Sequence, residues 1–367
     1  MPLLTADPLA GYLAHADEVR AAIDRVLASG HYILGPEVEA FEREFAAYHG
    51  GGEVIGVANG TEAIELALRA VGVGRGDLVA TVANTVTATV SAIEQIGARP
   101  EFVEIDPATM LMAPAALEAL LASRRGAVKA VMPVHLYGNP ADLPAIAALA
   151  RKHGAKLVED CAQAHGAKFQ GRPAGTWGDV AAYSFYPTKN LGALGDGGAV
   201  LTRDPAVAAK VRMLRQYGWK QRYVSESPGR NSRLDELQAA ILRVKLRHLD
   251  PENRVRRERA NRYLARLASA PLRLPAVAAG AEPVWHQFTI RVPGRDALRA
   301  HLAERGIQCG ILYPVPVHRQ PAFADPALQL PETERACAEV LCLPVHPAVT
   351  EADVDRVADE ILRWRKP

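Results

Sequence analysis

Two side chains in this sequence have the type and setting for chemistry on a carbonyl compound. Lys189 lies in the segment SFYPTK (184–189), and a glycine-rich segment, GDGG (195–198), follows it. Asp160 lies upstream, at the end of an apolar run in VEDCAQAHG (158–166). A lysine fixed in a cleft can form a Schiff base with a carbonyl-bearing cofactor, and a carboxylate can keep a heterocyclic ring nitrogen protonated. Since a lysine on its own is usually a surface charge, the prediction depends on the surrounding segments.

A third segment has the composition of a phosphate site. VANGTEA (57–63) ends a predicted strand and opens a predicted helix. Asn59 has the position of an N-cap residue, with Glu62 three residues further on. The free N–H groups of Gly60, Thr61 and Glu62 would suit a phosphate at the helix N-terminus. An ordinary capped helix is the alternative interpretation.

Composition and charge exclude several classes of protein. The 367 residues are 49% hydrophobic and 23% charged, and 43 basic residues balance 41 acidic ones. We therefore expect no nucleic acid partner and no membrane partner. The N-terminus lacks the basic and apolar regions of a signal peptide, so we expect a cytoplasmic protein. The four cysteines form no CxxC pair and the eleven histidines form no HExxH pattern, so we predict no metal site.

Short apolar segments alternate with helical patterns between residues 53 and 203. Such alternation predicts an α/β fold with a mostly parallel sheet covered on both faces, and ligands bind beyond the carboxyl ends of its strands. Asn59, Asp106, His135 and Asp160 fall at or just past those ends. The predicted strands are 54–58, 78–82, 101–105, 128–134, 155–159, 180–185 and 199–202, and the predicted helices are 61–71, 86–96, 113–123 and 142–153.

Two helices are predicted after this alternating region. Residues 232–247 carry one apolar stripe, and Ser232 with Asp235 resembles a capping box. The basic segment 254–266 predicts a second helix, which we interpret as a solvated linker.

The C-terminal part of the chain predicts a smaller α/β unit after a proline-rich break. We expect a large domain over residues 1–250, and a linker helix with a small domain over residues 251–367. The elements predicted in the small domain are a strand at 287–292 and helices at 295–305 and 351–365.

Four segments together resemble the nucleotide-sugar aminotransferases of the DegT/StrS family. They are NGTEA (59–63), EDCAQAHG (159–166), SFYPTK (184–189) and GRNSRLDE (229–236). They occur in the family's order and at its usual spacing, and the resemblance covers nearly the whole chain. It implies the aspartate aminotransferase fold, which is fold type I of the enzymes that use pyridoxal phosphate (PLP). It further implies a large, mostly parallel sheet domain, a smaller C-terminal α/β domain, and a homodimer with shared active sites.

The resemblance implies a role for each residue that matches a family motif. Lys189 would be the catalytic Schiff-base lysine and would also transfer protons. Asp160 would pair with the pyridinium nitrogen of PLP, and Gln163 with its ring hydroxyl. The neutral donors that would hold the cofactor phosphate are Gly60, Thr61, Ser184 and, from the partner subunit, Asn231.

Four further residues are candidates for contact with the substrate. Tyr186 lies in the Lys189 motif, and Tyr313 and His318 lie in YPVPVH (313–318) of the predicted small domain. Arg222 lies in a basic segment and could meet the nucleotide diphosphate. A structural proline-rich loop is the alternative interpretation of residues 313–318, and a mobile surface charge is the alternative for Arg222.

One position departs from the family pattern. Many members place an aromatic ring over the cofactor within the segment that reads TVANTVTAT (81–89) here, and this chain has Val86 at that place. Either Val86 covers the cofactor ring by apolar contact, or a residue from elsewhere stacks on it.

The resemblance implies transfer of the amino group of L-glutamate to a keto group of a nucleotide-linked deoxy sugar, in deoxyamino sugar biosynthesis for O-antigen or other glycans. The segments TVANT (81–85), PVHLYG (133–138) and CAQAHG (161–166) look most like the branch that aminates dTDP-3-keto-6-deoxyhexoses. Amination at C4 of a dTDP, UDP or GDP sugar is the alternative. A homologue that only senses PLP or sugar, and a sugar dehydratase with histidine in place of Lys189, fit less well.

Overall fold

The computed structural model describes residues 2–364. Its helices are α1 (Pro8–Leu13), α2 (Ala16–Ser29), α3 (Pro36–Tyr48), α4 (Gly60–Ala70), α5 (Thr87–Gln95), α6 (Pro114–Arg124), α7 (Leu143–Lys152), α8 (Pro205–Leu214), α9 (Glu236–Arg266), α10 (Arg295–Ala303), α11 (Pro331–Glu339) and α12 (Glu351–Arg363). Its strands are β1 (Glu53–Val57), β2 (Leu78–Val82), β3 (Arg99–Val103), β4 (Val128–Val131), β5 (Lys156–Asp160), β6 (Lys168–Phe169), β7 (Arg172–Pro173), β8 (Val180–Ser184), β9 (Gly198–Thr202), β10 (Trp219–Gln221), β11 (Val224–Ser225), β12 (Ala281–Glu282), β13 (Phe288–Arg291) and β14 (Val340–Leu343).

A seven-stranded sheet forms the centre of the molecule, in the order β1-β9-β8-β5-β4-β2-β3. Neighbouring strands from β8 to β3 are parallel, and β9 is antiparallel to both of its neighbours. In β8, Ala181 and Tyr183 belong to one hydrophobic cluster, and Val180 and Ala182 belong to another. Because successive side chains of a strand point to opposite faces, both faces of the sheet are covered. The prediction of a mostly parallel α/β sheet is therefore confirmed.

All seven predicted strands are present, and two of them differ from the prediction by more than one residue at an end. β3 starts at Arg99 and contains Pro100, because it is an edge strand whose outer side needs no N–H donor. β4 ends at Val131 instead of residue 134, since Pro133 cannot donate a ladder hydrogen bond. The four helices predicted between residues 61 and 153 are present within one residue of their predicted ends.

The prediction of two separate helices after residue 232 is wrong. α9 continues for 31 residues and passes through Pro251, although proline normally interrupts a helix. The helix begins at Glu236, and Asp235 makes no side-chain capping bond. Ser232 Oγ instead accepts a hydrogen bond from the N–H of Ala58 at 3.2 Å, so the predicted capping box is absent.

The C-terminal half of α9 is also not a solvated linker. Its residues Arg256, Ala260 and Tyr263 are buried, and the last two belong to a core cluster formed with the C-terminal unit. Tyr263 packs its ring at 4.9 Å between centroids against Phe288. The sequence did not predict this burial because most side chains of the segment are charged.

The C-terminal unit contains the strand and helices predicted for it. The predicted strand corresponds to β13, which pairs antiparallel with β14, and the predicted helices correspond to α10 and α12. Residue 365 of the predicted helix 351–365 lies outside the described residues. Near the N-terminus, Leu3 forms a parallel bridge to Ile307 of this unit. The expected domain boundary at residues 250 and 251 falls inside α9, and the division stays a prediction.

Between residues 2 and 364, no helix is long and apolar enough to cross a membrane.

Candidate active site

The ends of two neighbouring parallel strands bring the predicted site residues to one edge of the sheet. Asp160 is the last residue of β5, and Ser184 is the last residue of β8. β5 and β8 pair directly, with Asp160 opposite Ala182. Lys189 follows five residues after Ser184, in the turn that leads to β9. This is the edge where parallel sheets bind ligands.

Asp160 has a buried carboxylate that two donors orient. Asp160 is only 2% exposed. Its Oδ1 accepts a hydrogen bond from the N–H of Ala162 at 3.1 Å, and its Oδ2 accepts one from Thr89 Oγ1 at 3.0 Å. Thr89 is itself buried, and its Oγ1 lies 2.9 Å from Thr85 Oγ1. Because the one hydroxyl hydrogen of Thr89 goes to Asp160, Thr85 is the donor in its pair with Thr89.

The ionisation of Asp160 suits a positively charged partner. Burial raises the pKa of Asp160, while the hydrogen bonds from Ala162 and Thr89 and the charges of Lys189 and His135 lower it. A protonated ring nitrogen placed beside the carboxylate would add a further charge that favours the ionised form. The carboxylate therefore fits the pyridinium nitrogen of PLP.

Lys189 carries an amine that loses its proton easily. Burial lowers the pKa of Lys189 to about 8, and the negative charge of Asp160 opposes that shift. Burial is also the main cause of the lowered pKa values of His165 and His286, and the charge of Lys189 adds to both shifts. The amine thus lies within electrostatic reach of Asp160 and of two neutral imidazoles. A neutral amine is the form that attacks a carbonyl carbon.

The start of α4 forms a narrow cradle against β8. Asn59 Oδ1 accepts a hydrogen bond from the N–H of Glu62 at 2.9 Å, which confirms the predicted N-cap. The N–H of Glu62 is therefore not free, contrary to our prediction. The N–H groups of Gly60 and Thr61 remain available in the cradle. A Cβ atom on Gly60 would lie 2.6 Å from Cβ of Ser184, so only glycine allows this approach. Two N–H groups at a helix N-terminus beside a serine hydroxyl fit a phosphate.

Gln163 is held in a fixed orientation by two hydrogen bonds. Its Oε1 accepts from the N–H of Tyr137 at 2.6 Å, and its Nε2 donates to the hydroxyl of Tyr313 at 3.0 Å. Both tyrosines have left-handed backbone conformations, with φ of 60° and 61°. Such strained residues concentrate at functional sites. The second hydrogen of Nε2 is available for a cofactor hydroxyl, and the first one holds Tyr313 beside Gln163.

The structure places the remaining candidates in different surroundings. Tyr186 is 53% exposed, and Val86, at the N-cap of α5, is also exposed. His318 is fully buried, and its Nε2 lies 3.0 Å from Glu334 Oε1. This burial gives no support to a substrate contact by His318.

Arg222 and Asn231 lie in an exposed region around the hairpin of β10 and β11. The Arg222 guanidinium lies over the ring of Tyr223 at 4.9 Å. Asn231 forms an isolated backbone bridge with Gln216. In the described part of the chain, no contact joins Arg222 or Asn231 to Lys189 or Asp160.

Sequence reasoning missed the threonines behind Asp160 and the buried neighbour Glu159. Glu159 accepts hydrogen bonds from the N–H groups of Gly175, Trp177 and Gly178 at 2.7 Å each, and His135 Nε2 lies 3.2 Å from it. These contacts anchor the end of β5. The only sequence signal was a charged pair at the end of an apolar strand, which does not say what either carboxylate contacts.

The DegT/DnrJ/EryC1/StrS aminotransferase family model matches residues 14–362. The chain belongs to this family. The aminotransferase is 47% identical over 362 residues to the dTDP-3-amino-3,4,6-trideoxy-alpha-D-glucose transaminase of Streptomyces venezuelae, covering 98% of this chain and 95% of that protein. It is also 48% identical to the erythromycin biosynthesis sensory transduction protein EryC1 of Saccharopolyspora erythraea, covering 96% of each.

A solved structure agrees with this assignment. The crystal structure of S. venezuelae DesV in complex with a ketimine intermediate has a TM-score of 0.96 to the aminotransferase, at 46% identity. The match covers 99% of this chain and 98% of that one. The predictions of family, fold, enzyme class and PLP as cofactor are therefore confirmed.

Proposed function

We propose that the aminotransferase transfers the amino group of L-glutamate to C3 of a dTDP-linked 3-keto-6-deoxyhexose. The observation that carries the proposal is the whole-chain similarity to a transaminase named for a dTDP-3-amino sugar. The arrangement of Lys189, Asp160 and Gln163 supports the reaction type, since each has the environment that its role requires. Specificity for the sugar depends on a few side chains around the pocket.

The chain's residues would hold PLP by its phosphate, its ring nitrogen and its ring hydroxyl. Gly60, Thr61 and Ser184 would hold the phosphate, Asp160 would keep the ring nitrogen protonated, and Gln163 would donate to the hydroxyl. When bound, PLP supplies an electron sink for the carbon that loses its proton.

Lys189 would have two tasks. Its Nζ would bind the cofactor covalently, and its amine, once displaced by a substrate amine, would take a proton from one carbon and return it to another. A pKa of about 8 suits both tasks, because near neutral pH the amine can both accept and release a proton.

We further propose a cytoplasmic homodimer that acts in deoxyamino sugar biosynthesis, for O-antigen or another glycan. The exposed region around β10 and β11 supports the dimer, because Asn231 and Arg222 could then reach the site of the partner subunit. Tyr186 would meet the sugar, and Val86 would cover the cofactor ring by apolar contact.

The test is an assay of purified protein with PLP, L-glutamate and a panel of dTDP-, UDP- and GDP-linked keto sugars, with product followed by mass. We expect an amino sugar from the dTDP-3-keto substrate and none from Lys189→Ala. Product from a 4-keto sugar alone would contradict the ring position and keep the enzyme class. Amination only of a UDP or GDP sugar would contradict the nucleotide.

A regulatory role is the second candidate, because one relative is named as a sensory transduction protein. A protein that binds PLP yet aminates none of these sugars would favour it. The retained Lys189 and Asp160 favour catalysis, since a sensor needs neither proton transfer nor an electron sink.

A further inference from the structure

A small cavity lies next to the Lys189 turn. It encloses about 200 Å³ between the N-terminal residues 5–14, the turn 187–192, α9 and the C-terminal unit. Lys189 forms part of its wall, together with Arg256 of α9 and with His286 and His346. A ligand in this cavity would therefore lie close to the catalytic amine.

Arg256 is the exceptional residue of this wall. It is 7% exposed, its Nε has no hydrogen-bond partner, and its Nη1 makes only a long contact of 3.5 Å to the carbonyl of Trp285. Burial lowers the pKa of Arg256 to about 10, with the charge of Glu252 opposing. A buried charge without a partner is costly, and proteins rarely keep one without a use.

Unlike Arg256, each of the other buried arginines among residues 2–364 forms an ion pair. Arg215 is paired with Glu42, Arg291 with Glu339, and Arg295 with Asp296. Arg256 forms no ion pair with any described residue. The Nε atoms of Arg215 and Arg295 also lack a hydrogen bond, so the missing ion pair is what distinguishes Arg256.

The two carboxylates that line the cavity are already engaged. Asp7 caps α1 through the N–H of Ala10 at 2.9 Å, and Glu252 Oε1 lies 2.8 Å from His15 Nε2. The other lysine of the wall, Lys245, donates to the carbonyl of Gly192 at 2.7 Å. Arg256 therefore remains available to an anion.

His346 offers a second unpaired group. Its Nε2 lies 3.2 Å from the carbonyl of Leu4, to which it donates, and its Nδ1 has no partner. Burial and the charge of Arg256 both lower the pKa of His346. A bound anion would have the opposite effect and favour a protonated ring that donates from Nδ1.

We propose that this cavity binds a carboxylate group of the amino donor, with Arg256 as its ion-pair partner and His346 as a second donor. The inference rests on the proposed aminotransferase function. The volume favours an amino acid over the sugar substrate, because sites for larger ligands enclose about 300–1,000 Å³. A carboxylate held at Arg256 would place the amino end of the donor toward Lys189.

The test measures binding of glutarate to the PLP-loaded enzyme by calorimetry. Glutarate carries two carboxylates and no amine, so its binding does not require a reaction with the cofactor. We expect Arg256→Gln to weaken binding by about 10- to 100-fold, as for loss of a hydrogen-bonded charge pair, and Arg256→Lys to weaken it less. Arg254→Gln is the matched control, since Arg254 is exposed on the same helix.

Kinetics separate this inference from the proposed function. We expect Arg256→Gln to raise the KM for glutamate and leave the KM for the keto sugar unchanged. Wild-type affinity for glutarate in Arg256→Gln would overturn the site, even if the amino sugar is formed. Lack of any amino sugar product would contradict the proposed function, while the glutarate result would still decide the carboxylate site. If circular dichroism shows that Arg256→Gln does not fold, Arg256→Lys and His346→Gln provide the same measurement.

Discussion

At the residue scale, the pKa of Lys189 predicts when the protein can capture its cofactor. The neutral amine is the reactive form, and its fraction grows as pH rises through a pKa of about 8. We expect the rate at which cofactor-free protein binds PLP covalently to rise through pH 8 and to level off above about pH 9, where nearly all of the amine is neutral. Stopped-flow absorbance measures this rate. A rate that still rises steeply at pH 10 would show an ordinary lysine.

Asp160→Asn provides the control for this pH profile. The negative charge of Asp160 raises the pKa of Lys189, so its removal should shift the profile to lower pH. An unchanged profile would show that the two groups do not interact.

The hydroxyl of Thr89 is expected to hold Asp160 ionised and oriented. Thr89→Val removes the hydrogen bond at 3.0 Å, so the pKa of Asp160 should rise further. We expect kcat to fall by about 10-fold, in line with the loss of one hydrogen bond to a charged group. The pH at which the absorbance of the bound cofactor changes should shift as well, which a purely structural role would not cause. Thr89→Ser keeps the hydroxyl and should restore both kcat and the pH of the absorbance change. If it restores neither, the proposed role of the Thr89 hydroxyl is contradicted.

At the element scale, the first residue of α9 caps a different helix. Glu236 is buried, and its carboxylate accepts hydrogen bonds from the N–H groups of Gly35, Glu37 and Val38 at 2.8–2.9 Å. It therefore satisfies the N-terminus of α3, whose own N-cap residue is Gly35 and makes no side-chain bond.

Glu236→Gln should lower the free energy of unfolding by about 2 kcal/mol, because the amide accepts fewer of these bonds and carries no charge. Urea denaturation measures this change. Glu258→Gln, an exposed residue of the same helix, should change it by less than about 0.5 kcal/mol. Equal effects of the two substitutions would contradict the capping role.

At the scale of the whole molecule, the proposed dimer predicts complementation between inactive subunits. If Asn231 serves the partner subunit's site, a dimer of one Lys189→Ala subunit and one Asn231→Asp subunit has one intact site. Random mixing should then restore about a quarter of wild-type activity. Each variant alone should have little, since the carboxylate introduced by Asn231→Asp would repel the cofactor phosphate. No recovery on mixing, or an active monomer in sedimentation, would contradict the shared site.

The local pattern of the sequence is enough to predict the fold class and the edge of the sheet at which most of the proposed cofactor residues lie. The alternation of apolar and helical segments is a local pattern, and it correctly predicted all seven strands of the central sheet. Apart from Asn231, the residues predicted to hold PLP lie in short motifs at or soon after the ends of strands. A strand end fixes which edge of the sheet a residue reaches, so Asp160 and Ser184 could be placed at one site before any coordinates were known.

Which polar groups find partners depends on tertiary packing, which local sequence patterns do not describe. The continuity of α9 through Pro251 and the burial of His318 against Glu334 depend on packing between distant segments. The hydrogen bonds that link Thr85, Thr89 and Asp160, and the unpaired charge of Arg256, also result from packing between distant segments. In each case, residues far apart in sequence determine whether a polar group has a partner and how deeply it is buried. Burial in turn determines the free-energy cost of leaving that group unpaired. The spacing of residues along the chain contains no information about the partner or about the burial.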